Sequence, residues 1–144
     1  MKLYFTFIFL FITGAANAQI LNPVSFQYSI VKKSNNTAEV RIKALIEPKW
    51  HLYSVKNPDG GAQPTEIKFK NISTVGPVKE NGKLKTVFEK EFKVNQKYFE
   101  TTVSFVQLIK LKPGTDKIMG TITYMVCNDR QCLPPKEVEF KIKM

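Results

Sequence analysis

The strictest constraint on this chain is the two-residue period of its apolar positions. Over residues 37–46 they fall at Ala38, Val40, Ile42, Ala44 and Ile46, and over residues 99–111 the alternation runs through Thr101, Val103, Phe105, Gln107 and Ile109. Successive side chains of an extended chain point to opposite faces, so each segment buries one face and wets the other. Residues 117–126 repeat the pattern through Ile118, Gly120, Ile122, Tyr124 and Val126, and a last strand turns Val138, Phe140 and Ile142 inward. Shorter strands fit residues 26–31, 52–55 and 66–69. Helical periodicity never runs beyond a couple of turns, which makes the class all-β. Asn35-Asn36, Asn57-Pro58-Asp59-Gly60-Gly61, Asn81-Gly82 and Pro113-Gly114 supply turn chemistry between the strands. Seven or eight short strands at this spacing predict an immunoglobulin-like β-sandwich, with a small barrel as the competing arrangement.

Residues 1–18 read as a secretory signal peptide. Lys2 gives the positive start, residues 3–12 are almost all apolar, and Ala16-Asn17-Ala18 has the small-x-small cleavage pattern. The apolar run is interrupted at Thr13-Gly14, short of the roughly 20 residues a spanning helix needs. No cysteine near the cleavage point could carry a lipid. The expected product is periplasmic or secreted and does not span a membrane once the signal is removed. It begins at Gln19, and residues 19–144 suit one domain with a single core.

The formal charge is +10, or +9 without Lys2. Such a balance raises the question of a nucleic acid or an acidic partner. Only Arg41 and Arg130 are arginines, however, and the lysines alternate with apolar residues, as in Glu66-Ile67-Lys68-Phe69-Lys70 and Phe140-Lys141-Ile142-Lys143. Lysines on the wet faces of strands keep a sheet soluble and discourage edge pairing. No nucleic-acid partner is expected.

The two cysteines, Cys127 and Cys132, enclose Asn128-Asp129-Arg130-Gln131 and are followed by Leu133-Pro134-Pro135. One ends a strand and the other precedes the next, so they flank a hairpin mouth where Cα atoms can approach within the roughly 4.4–6.8 Å of a disulfide. Export from the cytosol would let that bond persist. As a staple it is inefficient: closing a loop this short stabilises by only about 2 kcal/mol, against about 4.7 for a 100-residue loop. Short, exposed disulfides tend to be the reducible ones. Chemistry alone leaves a structural and a redox-active pair equally open. A zinc site would be short of ligands, since His51 is the single histidine.

The runs Trp50-His51-Leu52-Tyr53, Gln63-Pro64-Thr65-Glu66-Ile67, Val87-Phe88-Glu89 with Phe92, and above all Tyr124-Met125-Val126-Cys127 through Cys132-Leu133-Pro134-Pro135, occur in an order that resembles the amino-terminal periplasmic domain of the thiol:disulfide interchange protein DsbD. The resemblance spans nearly all of the mature chain. It implies an immunoglobulin-like domain that passes reducing equivalents to thioredoxin-like partner proteins, without a cofactor. It makes Cys132 the exchanging sulfur and Cys127 the resolving one. It also implies an aromatic cap loop within residues 85–93, with Phe88 the first and Phe92 the second candidate for the shielding ring, and an active-site wall of Tyr53 and His51. The chain departs from the best-known members in having four residues between the cysteines rather than five, and Leu133 where they carry an aromatic. Neither a membrane-embedded carrier nor a thioredoxin-like domain follows within these 144 residues, so a separate membrane electron donor is expected.

The competing function is a non-catalytic secreted β-sandwich that binds a partner and keeps a structural disulfide. An extracellular hydrolase finds little support, because there is no Gly-x-Ser-x-Gly elbow and no metal-binding cluster.

Overall fold

The computed structural model describes residues 21–90 and 93–144; the segment 1–18, expected to be a signal peptide, lies outside them. Among the described residues there are only strands and turns. The strands are β1 (Val24–Lys32), β2 (Thr37–Ile46), β3 (His51–Tyr53), β4 (Glu66–Phe69), β5 (Ser73–Gly82), β6 (Lys85–Glu89), β7 (Val94–Phe99), β8 (Thr102–Lys110), β9 (Lys117–Tyr124), β10 (Val126–Cys127) and β11 (Lys136–Lys143). All pairings are antiparallel. One layer has the order β1-β2-β8-β5; the other consists of β11-β9-β4 and β10-β3-β7-β6, which share the run β9 to β10 and part company at Met125. This is the immunoglobulin-like sandwich expected from the alternation.

The inward faces are those the period assigns. Ala38, Val40, Ile42, Ala44 and Ile46 of β2 face Ile118, Ile122, Tyr124 and Phe140 across one core, together with Val103, Phe105 and Ile109 of β8. Phe26 meets Tyr124 edge-on at 5.2 Å, and Tyr28 stacks on Phe140 at 5.5 Å, so aromatic pairs tie the two layers. A buried side chain of this size contributes about 1.5–3 kcal/mol, which places the stability in this layer contact.

Gly120 is needed by close approach. It stands opposite Phe69 on one side and Phe140 on the other. A Cβ there would collide with the Lys68 carbonyl and the Phe140 ring. The two phenylalanine rings meet edge-on at 5.6 Å.

Three expectations are corrected. The strand expected over residues 99–111 is two strands, because the chain crosses between layers at Glu100-Thr101, where Thr101 takes φ 67. Asn81-Gly82 is not a break: both residues pair with β8, opposite Ser104 and Val103. Residues 85–89 are a strand, hydrogen-bonded to β7 from Lys85↔Tyr98 to Glu89↔Val94, rather than part of a loop. The period signal fails in β5 and β6 because both are largely exposed edge strands. β5 also carries a bulge between Val75 and Lys79, whose carbonyls at Val75 and Gly76 accept hydrogen bonds from the buried Gln107 amide.

Candidate functional site

The short ladders β10-β3-β7-β6 carry the cysteines at one end of the sandwich. β10 is held by two register pairs, Val126↔Leu52 and Cys127↔His51. Leu52 and Val126 are core residues, so their neighbours along each strand turn to the other face. That puts His51, Tyr53 and Cys127 on one surface. Beyond Cys127 the chain turns at once, because the Asn128 side chain accepts hydrogen bonds from the N–H groups of Arg130 and Gln131, both at 2.9 Å. The Asn128 N–H donates to the Gln131 carbonyl at 2.8 Å, and the Leu133 N–H to the Val126 carbonyl at 2.9 Å. The returning chain brings Cys132 opposite Cys127 with Cα atoms 4.0 Å apart, and the two are disulfide-bonded.

The two sulfurs differ in environment. Cys127 is buried at 4 % exposure, whereas Cys132 is exposed. They open on a cavity of about 470 Å³ whose walls include His51, Tyr53, Glu89, Gln96, Met125 and the loop from Asn128 to Gln131.

Tyr98 organises the wall. The His51 ring stacks on it at 4.3 Å and 17°, and Tyr53 meets it edge-on at 6.3 Å. His51 Nε2 lies 3.3 Å from Glu100 Oε1, while Lys85 donates to the other Glu100 oxygen. The Lys85 hydrogen bond holds the Glu100 carboxyl below the usual carboxylate range. Burial, reinforced by the Glu89 carboxylate and by Tyr98, pushes the Tyr53 phenol up to about 12, so the ring is a neutral wall at any physiological pH.

The floor is a buried polar network. Asn57 Nδ2 donates to the Ala62 carbonyl at 2.7 Å and to Gln96 Oε1 at 2.6 Å, and Asn57 Oδ1 accepts from the Lys97 N–H at 2.7 Å. Gly61 packs on the Gln96 amide, and a Cβ there would push that amide aside. Thr65 Oγ1 donates to the Tyr53 carbonyl, and Ser54 Oγ to Glu80 at 2.8 Å. Every one of these groups is paired, which rigidifies the wall behind the cysteines.

Of the residues singled out from sequence, Cys127, Cys132, His51 and Tyr53 therefore converge on one cavity. Phe88 does not line it: its ring stands opposite Asn95 in β6 and is 56 % exposed, and the neighbouring Glu89 takes the place on the cavity wall. Phe92 lies outside the described residues. Sequence reasoning missed Asn57, Gln96, Tyr98, Glu89 and Glu100. Asn57 reads from sequence only as a turn residue; Glu89, Gln96 and Tyr98 stand on strands and Glu100 at the crossing between β7 and β8, where nothing local distinguishes them.

An immunoglobulin-like sandwich with a disulfide-bonded hairpin opening on an aromatic-walled cavity at one end defines a class of small all-β domain. The chain belongs to the family of the thiol:disulfide interchange protein DsbD, N-terminal domain, whose profile matches residues 17–143. Among solved structures it is similar to the N-terminal periplasmic domain of ScsB from Proteus mirabilis, with a TM-score of 0.65 and 14% identity, covering 85% of this chain and 47% of that one. The chain thus spans about half the length of that relative. It is also similar to the reduced DsbD N-terminal domain of Neisseria meningitidis, with a TM-score of 0.55, 18% identity and coverage of 83% and 85%. A third similar structure is the complex between the DsbD and PilB N-terminal domains from the same organism, with a TM-score of 0.56, 17% identity and coverage of 88% of each chain. At these identities the structural likeness speaks for the fold. No curated protein matches the sequence. Among the described residues no helix is long and apolar enough to cross a membrane.

Proposed function

We propose that this domain performs thiol–disulfide exchange in the cell envelope, passing reducing equivalents to thioredoxin-like partners through Cys127 and Cys132. The carrying observation is the unequal burial of two bonded cysteines at an open cavity, Cys132 being exposed and Cys127 buried. A solved complex of a similar domain with the PilB N-terminal domain supports a protein partner.

In the reduced domain the Cys132 thiolate attacks one sulfur of the partner's disulfide. The partner's S–S bond breaks and its second sulfur leaves as a thiolate that takes up a proton. The Cys127 thiol then loses its proton and attacks Cys132 Sγ. The intramolecular disulfide forms and the mixed disulfide breaks, releasing the first partner sulfur as a thiolate. Two electrons pass to the partner, and a separate dithiol donor associated with the membrane restores the pair. Rates in such exchange follow thiolate availability and access to the attacked sulfur. Glu89 and Gln96 line the cavity from β6 and β7, and Phe92 is this reading's candidate for the shielding ring.

The test is trapping. Cys127→Ser should accumulate a mixed disulfide with a thioredoxin-like protein, because the resolving sulfur is missing, and Cys132→Ser should not. A reduction potential below about −300 mV, typical of structural disulfides, together with failure to trap, would instead identify a binding module with a stapled hairpin.

A further inference from the structure

Lysines far apart in sequence are gathered by the topology at the end of the sandwich opposite the disulfide. Lys32 and Lys33 enter the β1–β2 turn, and Thr37 at its exit pairs with Lys110 at the end of β8. The Leu111 N–H then donates to the Asn36 carbonyl, closing the two turns on each other. Lys112 sits in the β8–β9 turn, and Lys117 at the start of β9 is opposite Lys143 at the end of β11. Six lysines therefore share one pole with two side-chain carboxylates, Glu39 and Asp116. Glu39 is already engaged by Lys33 at 3.3 Å and Arg41 at 2.9 Å. Among the described residues no carboxylate lies within ion-pair distance of Lys32, Lys110, Lys112, Lys117 or Lys143. From Lys117 to Cys127 the chain is extended, which separates this pole from the disulfide by about 30 Å.

We infer that this basic pole docks on an anionic lipid bilayer, holding the domain end-on with the cysteine pair directed away from the membrane. The pole's cations outside the Glu39 cluster are all lysines. They are compact, strongly hydrated charges, suited to a diffuse layer of headgroups rather than to the bidentate phosphate contacts that arginine makes. None of the pole's positions 32–37 and 110–117 is aromatic, so the stacking platforms of single-strand nucleic-acid binders are missing from it. Turn tips converging on one end make a surface that several lysines can bring within a Debye length of a membrane at once, about 8–10 Å. Each lysine near such a surface strengthens binding by about fivefold. The inference is independent of the thiol chemistry.

The experiment is co-sedimentation of the protein, as recovered from expressing cells, with vesicles of phosphatidylglycerol and phosphatidylethanolamine in equal parts, against phosphatidylcholine vesicles. Binding is expected on the anionic vesicles alone and should fall steeply as salt is raised. The triple variant Lys110→Gln, Lys112→Gln, Lys117→Gln should bind about a hundredfold more weakly, while Lys56→Gln, Lys83→Gln, Lys136→Gln should bind nearly as the parent does. The Cys127→Ser, Cys132→Ser variant should bind as the parent, which separates this proposal from the exchange reaction. Equal binding to both vesicle types, indifference to salt, an unaffected first triple variant, or tighter binding to duplex DNA than to the vesicles at the same salt would overturn it.

Discussion

Cys127 stands directly opposite His51 in the two-pair ladder between β10 and β3, so the buried sulfur and the only imidazole of the chain share one face of the sheet. The His51 ring in turn stacks on Tyr98 and approaches Glu100, which places the disulfide at the edge of a connected aromatic and ionic wall. The behaviour of the pair should depend on that wall more than on the bond's contribution to stability.

The fold is expected to survive loss of the disulfide. A loop of this length stabilises by about 2 kcal/mol, a minor part of the roughly 5–15 kcal/mol of a domain. The Cys127→Ser, Cys132→Ser variant should keep its circular-dichroism spectrum and melt lower by roughly 10 °C. Unfolding at ambient temperature would mark the bond as a staple.

Reaction of the disulfide with small thiols should respond differently to the two phenylalanines. Phe88 is turned to solvent, so Phe88→Ala should leave the rate of reduction by dithiothreitol unchanged. Phe92→Ala should raise it severalfold with little change in stability. Equal rates for both variants and the parent would remove the shielding role from this segment.

The cavity floor should be costly to break. Gln96→Ala deletes the acceptor that faces Asn57 Nδ2 at 2.6 Å, leaving a buried amide with one partner fewer. A loss of about 1–3 kcal/mol is expected, read from the midpoint of urea unfolding. A change within experimental error would show that the Ala62 carbonyl alone satisfies Asn57.

Gly120→Ala should destabilise by about 1–3 kcal/mol, because the new methyl meets both the Lys68 carbonyl and the Phe140 ring. Combining it with Phe140→Leu should recover part of the loss if the ring is the main obstacle, and none if the carbonyl is.

Alkaline pH provides a further check. Tyr53 is held neutral up to about 12 in the folded state against an ordinary value of 10. A phenol whose folded value is raised contributes stability that is complete below the unfolded value. That stability is lost as pH rises from 10 toward 12. Tyr53→Phe should flatten the fall in stability measured by denaturant titration across that window.

Legibility in the sequence followed burial. β2 and β4 have the boundaries the alternation or short apolar run indicated, because the inward residues of β2 are core and Ile67 and Phe69 of β4 pack against it. β6, with Val87 and Phe88 both exposed on an edge, carries no such signal. The cysteines announced themselves by spacing and surroundings. Asn57 and Gln96, by contrast, are 39 positions apart and meet only because β3 pairs with β7. The basic pole is hidden for the same reason, since its lysines come from three separate stretches of chain.

The division of one strand run at Met125 has a thermodynamic consequence. Upstream, β9 is clamped on both sides, by eight register pairs with β11 and four with β4; downstream, β10 holds to β3 by two. The cysteine hairpin is therefore expected to open locally before the sandwich does, and its amides should exchange with solvent deuterium through such partial openings rather than through global unfolding. In the proposed exchange a partner engages Cys132 first, and such a partial opening would also uncover the buried Cys127 beside it.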